Sequence, residues 1–454
     1  MDRGFYIIMA AQFFSALADN ALLITAIAML REIDAPAAHV PMLKWFFTIS
    51  YVLLAAFVGA FADSMPKGRV MLISNGIKIS GCLMLIAGLP PLYAYAVVGI
   101  GAAAYSPAKY GILTEYLPHS KLVVANSWIE GLTVGAIIFG TILGGWMISP
   151  YLLHGFGEID ATLNAVLPFT LTSSLLDYSL GMVAALYLVA AWFNLYVPNT
   201  GVDHKPLHNN PLFLLRDFSH CVRLLWMDKL GQITLAVTTL FWAAGATMQF
   251  IMLRWTEEAL HLPLDQAPYM QAIFAVGIAI GAAMAGRFIP IHRSVRVIGV
   301  GIAMGLVTLM MVPLTGDGLV YGLGVDRTLV LGFDGVWLAG ILMLIVGAMA
   351  GFFVVPMNAL LQHRGHILMG AGHSIAVQNF NENIGILIML GLYALLVAAE
   401  LSVQTVIILF GVFMAGAMYG VQRWYQRNIR LHRHELARLL QAARHVHQDD
   451  HGKR

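Results

Sequence analysis

The chain has 454 residues, of which 59% are hydrophobic and 11% are charged. Soluble domains average about 45–50% apolar and about 25% charged residues, so this composition excludes an ordinary soluble protein and indicates a membrane protein. The formal net charge of +2 excludes nothing by itself, and two cysteines, Cys82 and Cys221, predict no disulfide framework.

Twelve apolar runs along the chain are each long enough for a helix that crosses a bilayer, which needs about 20 residues. Spans 1 to 6 are predicted at 4–30, 42–62, 70–89, 91–116, 122–148 and 173–196. Spans 7 to 12 are predicted at 231–256, 266–287, 296–315, 335–361, 374–398 and 402–422. We therefore predict four regions: a six-helix bundle over 1–196, a cytoplasmic linker over 197–230, a second six-helix bundle over 231–422 and a basic cytoplasmic tail over 423–454.

Lysine and arginine are concentrated in the linker, in the tail and in alternate loops between the spans. The long stretch from Ser149 to Asp177, between spans 5 and 6, contains neither residue. Cytoplasmic loops carry the excess of Lys and Arg in multi-span proteins. This asymmetry predicts that both termini lie in the cytoplasm.

Two groups of six spans around a cytoplasmic linker resemble the major facilitator superfamily. The resemblance implies an all-α membrane protein with that superfamily's fold of 12 transmembrane helices in two six-helix bundles. In that fold, spans 1, 4, 7 and 10 line a central cavity and spans 2, 5, 8 and 11 flank it.

The loop between spans 2 and 3, "GAFADSMPKGR", is similar to the superfamily's cytoplasmic-loop motif, although the interval from its aspartate to its second glycine is two residues longer. The motif implies a conformational latch in which glycines allow close helix approach and the aspartate faces basic residues. Alternatively, the basic residues only set topology, which leaves the aspartate unexplained. The latch residues are Gly59, Asp63, Lys67, Gly68 and Arg69.

Polar and ionisable residues inside the spans are the candidates for a transport site. An Asp, Lys or Arg at a helix centre costs about 2.5–3.5 kcal/mol, so each needs a partner or a watery cavity. Gln12, Ser15 and Asp19 share one face of span 1. We interpret Lys78 in span 3 as snorkelling to the cytoplasm. The other candidates are Asn20 in span 1, Lys109 and Tyr110 in span 4, Glu130 in span 5, Gln249 and Arg254 in span 7, and Gln378, Asn379, Glu382 and Asn383 in span 11.

Each charged candidate also has a structural interpretation. Asp19 can pair with Lys109 or another cation as a fixed internal bridge, and Glu130 and Glu382 can form hydrogen bonds that only pack helices together. Arg254, near the outer surface, can be an interfacial residue. Position in the sequence does not decide between these roles and transport.

Several strings from both halves are similar to the bacterial lysophospholipid transporter family: "SALADNALL", "VGIGAAAYSPAKYGIL", "GFFVVPMNALLQHRG" and "GHSIAVQNFNENIG". The resemblance implies flippase-like movement of lysophosphatidylethanolamine and lysophosphatidylglycerol across the inner membrane to the cytoplasmic leaflet, by alternating access and without ATP. It also implies a partner acyltransferase with acyl-acyl-carrier-protein synthetase activity, which reacylates the product. In span 7, where the family leads us to expect arginine, this chain has Gln249, with Arg254 five residues later.

The residue chemistry fits a headgroup of this kind. Lys109 and Arg254 can meet a phosphate, and Asp19, Glu130 or Glu382 can meet an ethanolamine ammonium group. An alternative on the same fold is a proton-coupled exporter of drugs or small solutes. A membrane-bound enzyme is a third class, but no acyltransferase, nucleotide-binding or metal-spaced motif is visible. We therefore expect a monomeric transporter with no enzymatic activity, no cofactor, no metal and no nucleic-acid partner.

Overall fold

The computed structural model describes residues 2–35, 39–118, 121–166, 174–203, 210–262, 267–315, 318–322, 328–331, 335–436 and 438–439. Helices in the first half are α1 (Arg3–Glu32), α2 (His39–Leu53), α3 (Ala55–Asp63), α4 (Lys67–Ile86), α5 (Pro91–Tyr116), α6 (Leu122–Met147), α7 (Pro150–Val166) and α8 (Leu176–Leu195). They are followed by α9 (Pro211–Met227), α10 (Gly231–Glu258), α11 (Ala267–Phe288), α12 (Ile298–Thr308), α13 (Gly335–Met369), α14 (Ala371–Ala398) and α15 (Val403–Leu431).

The predicted apolar runs lie mainly on helical structure, but the last two residues of predicted span 9, Leu314 and Thr315, lie on a strand. Within the described ranges, ten helices are long and apolar enough to cross a bilayer, or eleven if α2 and α3 form one span. The chain bends by 63° between α2 and α3, so span 2 is a broken helix rather than the continuous one that its sequence predicts. Helix α5 carries span 4 and, with 26 residues, is about 39 Å long. The fold class is confirmed.

Three elements lie wholly or mostly outside the predicted spans. Helix α7 occupies most of the long outer loop, and the ring of its Phe156 stacks on Tyr178 of α8, with ring centroids 5.2 Å apart. Helix α9 lies within the predicted linker. Between α12 and α13, three short antiparallel strands form a sheet in the order β1-β2-β3: β1 (Leu314–Thr315), β2 (Gly318–Gly322) and β3 (Thr328–Leu331).

Helix α1 begins with a carboxylate cap. Oδ1 of Asp2 accepts a hydrogen bond of 3.1 Å from the N–H of Phe5, which satisfies one of the unpaired donors of the first turn. The hydroxyl of Tyr116 donates to Oδ2 of Asp2 at 2.6 Å. The bonds from Tyr116 and Phe5 hold the pKa of the Asp2 carboxyl below its usual range.

The chain divides into two compact units. The first unit comprises Met1–Tyr116, Gly135–Val222 and Met369–Phe380, and the second comprises Leu117–Val134, Arg223–Leu368 and Asn381–Arg454. In the first unit α4 packs against α5 and α8, and α1 packs against α8. In the second unit α15 packs against α10 and α12. The bundle boundaries predicted from the sequence stay a prediction.

Glycines bring α11 and α13 into backbone contact within the second unit. A Cβ added at Gly281 would overlap the carbonyl of Ala348, and one added at Gly351 would overlap the carbonyl of Ile278. Gly277 and Gly347 are equally confined, each by the backbone of the other helix. Small residues at such positions let helices approach closely in a bilayer, where no hydrophobic force drives them together.

We expect Gly351→Ala to destabilise the protein, because the new methyl group must push α11 and α13 apart. Overpacking of this kind costs about 1–3 kcal/mol. The matched control is Gly340→Ala on the same helix, where an added Cβ would lie 3.5 Å from Cδ1 of Ile273, an ordinary contact. The measurement is the thermal unfolding midpoint in detergent, and equal midpoints for the two variants would contradict the close packing.

Candidate transport site

The carboxylate of Asp19 is held by residues of two other helices in the first unit. Nζ of Lys78, on α4, lies 2.9 Å from its Oδ1 and 2.8 Å from its Oδ2. The hydroxyl of Tyr187, on α8, donates to Oδ1 at 2.6 Å. The side chain of Asp19 is 23% exposed, whereas that of Lys78 is 1% exposed. The pair is therefore accessible only from the side of the carboxylate.

Polar groups of α1 and α4 extend this cluster. Lys78 also donates to Oγ of Ser15 at 3.1 Å, and Ser15 in turn donates to Oδ1 of Asn75 at 2.9 Å. Ser15 and Asp19 are one turn apart on α1, and Asn75 and Lys78 are one turn apart on α4, so both pairs share a helix face. The polar residues of span 1 therefore meet a matching polar face of span 3.

The ammonium group of Lys78 has room and aromatic surroundings. A Cβ added at Gly101 of α5 would lie 2.7 Å from Cγ of Lys78, so only glycine leaves space for this side chain. Nζ lies 4.9 Å from the ring centroid of Tyr105 and 5.5 Å from that of Tyr187, within the range of cation–π attraction. These contacts and the ion pair offset the cost of removing the charge from water.

The interpretation of Lys78 as snorkelling to the cytoplasm is wrong. Its side chain is buried, because the carboxylate of Asp19 offers a partner inside the bundle. Asp19 forms its ion pair with Lys78, so the cation of the structural alternative is Lys78 and not Lys109. Nζ of the half-buried Lys109 instead lies 4.9 Å over the ring of the neighbouring Tyr110.

The remaining candidates of span 1 differ in their surroundings. Gln12 is buried, one turn before Ser15. The amide of Asn20 donates at 2.8 Å to the carbonyl of Ala16 on its own helix, so this side chain turns back along α1.

The candidates of span 11 lie on α14, and the unit boundary falls among them. In the first unit, the amide of Asn379 donates to Oγ of Ser106 on α5 at 2.8 Å, and Gln378 is buried beside it in the sequence. In the second unit, Glu382 is buried and Asn383 is half-buried.

Span 7 does not present a charge in the middle of its helix. Gln249 is exposed, and Nε of Arg254 pairs with Oε1 of Glu258 one turn later on α10. Arg254 therefore has a partner on its own helix near the helix end. Glu130 of span 5 lies on α6, but its side chain is outside the described part of the structure.

The predicted latch aspartate caps the start of α14. Oδ1 of Asp63 accepts the N–H of Gly372 at 2.7 Å, and Oδ2 accepts the N–H of His373 at 3.1 Å. Nδ1 of His373 lies 2.7 Å from the same Oδ2. A carboxylate at a helix N-terminus satisfies unpaired donors and complements the helix dipole. Asp63 therefore binds the first turn of α14 rather than the basic residues of its own loop alone.

Lys67 connects Asp63 to a further carboxylate. Its Nζ lies 2.8 Å from Oδ1 of Asp63 and 3.1 Å from Oε1 of Glu115 on α5. Beyond the histidine, Nε2 of His373 lies 3.2 Å from Oδ2 of Asp217 on α9. The result is a chain of charges within the first unit that joins α3, α4, α5, α9 and α14.

The other predicted latch residues are placed as follows. A Cβ added at Gly59 would lie 2.9 Å from Cβ of Ala376 on α14, and one added at Gly68 would lie 3.0 Å from Cβ of Val197. Both glycines thus lie at close helix approaches, whereas Arg69 is exposed. The latch role itself stays a prediction.

The second unit has polar contacts that the sequence did not reveal. Oδ1 of Asp228 accepts the N–H of Gly231 at 2.7 Å, which caps α10, and also accepts from Nε of Arg364 at 3.2 Å. The amides of Asn126 and Gln362 form reciprocal hydrogen bonds of 2.9 and 3.0 Å. Only the cost of charge and amide groups inside apolar runs could have indicated these residues, and it does not name their partners.

The Major Facilitator Superfamily sequence profile matches residues 8–388 of the chain. The chain is 36% identical over 399 residues to the lysophospholipid transporter LplT of Yersinia pestis (strain Pestoides F) and to that of Yersinia pseudotuberculosis serotype O:3 (strain YPIII). Each alignment covers 87% of this chain and 87% of the relative. The chain therefore belongs to the major facilitator superfamily and, within it, to the lysophospholipid transporter family.

Solved structures agree on the fold. The major facilitator superfamily transporter FucP has a TM-score of 0.65 at 13% identity, over 93% of this chain and 98% of its own. The human organic anion transporter MFSD10 has a TM-score of 0.66 at 13% identity, over 93% of this chain and 100% of its own. At this identity the likeness concerns the fold alone.

We expect Lys78→Met to destabilise the protein strongly, because it leaves the carboxylate of Asp19 without its cation. Breaking one side of a buried pair costs about 3–5 kcal/mol. Asp19→Asn combined with Lys78→Met removes both charges and should restore part of the loss. The measurement is a double-mutant cycle on thermal unfolding in detergent. Additive effects of the two single substitutions would contradict a direct ion pair.

We expect Asp63→Asn to loosen the first turn of α14, because the amide side chain weakens the cap on Gly372 and His373. The loss of a charged cap should speed amide hydrogen exchange of this turn about tenfold. The control is Arg69→Gln, in the same loop but exposed, which should leave exchange at α14 unchanged. The opposite ranking of the two variants would exclude the cap.

Proposed function

We propose that this protein moves lysophospholipids, such as lysophosphatidylethanolamine and lysophosphatidylglycerol, across the bacterial inner membrane to its cytoplasmic leaflet. The observation that carries this proposal is the 36% identity, over 87% of both chains, to proteins named lysophospholipid transporter LplT. The membrane-spanning helices with a buried charged cluster support it. Transport proceeds by alternating access of the two bundles and uses no ATP.

The Asp19 cluster supplies a reason for headgroup binding. The Asp19 carboxylate is the exposed member of its ion pair and has two partners, Lys78 and Tyr187. An ethanolamine ammonium group that reaches the exposed side of this carboxylate competes with Lys78 for it. Lys78 is buried, so the phosphate of the same headgroup binds a different cation. Asp19 thus serves as the ammonium-binding group of the site.

Other candidates complete the route in this proposal. Lys109 and Arg254 attract phosphate, and the polar side chains of span 11 bind glycerol oxygens: Gln378, Asn379, Glu382 and Asn383. The Asp63 cap on α14 acts as the conformational latch, because its bonds must break when the first turn of α14 moves. The protein catalyses no reaction itself, and a partner acyltransferase reacylates the product. Both termini lie in the cytoplasm.

We expect purified protein in lipid vesicles to take up labelled lysophosphatidylethanolamine, and Asp19→Asn to reduce this uptake at least tenfold, because the amide cannot bind the ammonium group as an ion pair. Gly340→Ala is the control, since an added Cβ there makes only an ordinary contact of 3.5 Å with Cδ1 of Ile273. Uptake is measured as labelled lipid protected from external albumin, with and without a proton gradient.

Three outcomes would count against the proposal. Full uptake by Asp19→Asn at equal protein level would remove the headgroup site. Dependence on the proton gradient, together with export of small cationic drugs rather than lysolipid, would favour the drug-exporter alternative. Consumption of lysolipid by the purified protein alone would indicate an enzyme.

A further inference from the structure

A groove between α6 and α11 lies within the second unit and belongs to neither cluster described above. Its volume is about 560 Å3, in the range of small-molecule sites, about 300–1,000 Å3. Residues of α6 and α11 line it: Val124, Ser127, Trp128, Gly131, Leu132, Ala279, Ala283, Gly286 and Arg287. The lining is apolar along most of its length and has one cation.

The two helices touch at one end of this groove. A Cβ added at Gly286 would lie 2.5 Å from Oγ of Ser127, so α6 and α11 are in close contact there. One turn further along α6, a Cβ added at Gly131 would meet no atom within 4 Å. Ala279 and Ala283 complete the wall opposite on α11. The small residues therefore leave an open, apolar trough beyond the point of contact.

The charged and the aromatic residue of the lining, Arg287 and Trp128, lie at the end of the groove where α6 and α11 touch. Arg287 is exposed in the last turn of α11, and its guanidinium lies 5.8 Å from the ring centroid of Phe288. Trp128 is 43% exposed beside it. Tryptophan and arginine at the end of a spanning helix lie at the depth of lipid headgroups. The charge pattern of the sequence predicts that this end is cytoplasmic.

The location matters because the helices come from different halves of the chain. Helix α6 is the fifth span and α11 the eighth, and the part of α6 before Gly135 is clustered with the second unit. Residues from both halves of the sequence therefore line one groove within the second unit.

We propose that this groove binds the lysophospholipid on the cytoplasmic side as it leaves the transport route. The phosphate is held by the guanidinium of Arg287, the glycerol lies beside Trp128, and the single acyl chain occupies the trough along Gly131, Ala279 and Ala283. This inference rests on the proposed function. A lipid with one acyl chain and one phosphate suits a groove of about 560 Å3 in which Arg287 is the single cation among the described lining residues.

The test is photolabelling of the full chain in lipid vesicles with a lysophosphatidylethanolamine that carries a diazirine in its acyl chain. We expect label on residues 124–132 and 279–287, removed by excess unlabelled lysophosphatidylethanolamine. Gly131→Leu fills the trough without a clash and should lower this labelling and the rate of uptake about fivefold or more. Gly145→Leu is the matched control on α6, because a Cβ there also meets no atom within 4 Å.

The cation has its own variant. Arg287→Gln should weaken the apparent affinity for lysophosphatidylethanolamine about fivefold, and Arg287→Lys should retain most of it. A groove labelled equally by diacyl probe, or one whose label excess lysolipid does not remove, is an annular lipid contact and overturns the proposal. Equal effects of Gly131→Leu and Gly145→Leu also overturn it.

The labelling does not depend on transport, so the two proposals fail separately. If uptake is observed but the groove is not labelled, the groove inference is wrong and the proposed function stands. If the groove is labelled and competed but no uptake occurs, the groove is a lysolipid site and the proposed function is wrong.

Discussion

A lysine with 1% of its side chain exposed, inside a helix of a membrane protein, determines much of the first unit. A lysine buried in a spanning helix needs an anionic partner, which Asp19 supplies, and the carboxylate of Asp19 needs a cation in turn. The pair fixes α1 against α4, and the hydroxyl of Tyr187 adds α8. The close approach of α5 at Gly101 follows, because a side chain there would collide with Lys78. One ion pair thereby sets the relative positions of four helices.

The positions of the spans could be predicted because the bilayer imposes a length and an apolar composition on every spanning helix. The bend between α2 and α3 could not be predicted, because the residue at the break is Leu54 and not a glycine or a proline. Helices α7 and α9 were missed because they carry polar residues and because a proline, Pro150 or Pro211, stands at the start of each and suggested a loop. The three-stranded sheet before α13 was missed because its strands are short.

The candidate site was predictable only in part. Asp19, Ser15 and Gln12 were identified because a polar face in an apolar helix is visible in the sequence. The role of Lys78 was misread, since an isolated lysine gives no sign of whether it reaches water or a carboxylate on another helix. Tyr187 gave no signal at all, because tyrosines are common in spans and the carboxylate it binds is 168 residues away.

The separation of Asp19 from Lys78 in the sequence has a consequence for biogenesis. The two residues are 59 positions apart, and synthesis at about 5–20 residues per second makes Lys78 roughly 3–12 seconds after Asp19. Tyr187 follows later still. Helix α1 is therefore synthesised before α4, which carries the cation that pairs with the carboxylate of Asp19. Stable insertion of α1 in the bilayer is thus coupled to the synthesis of α4.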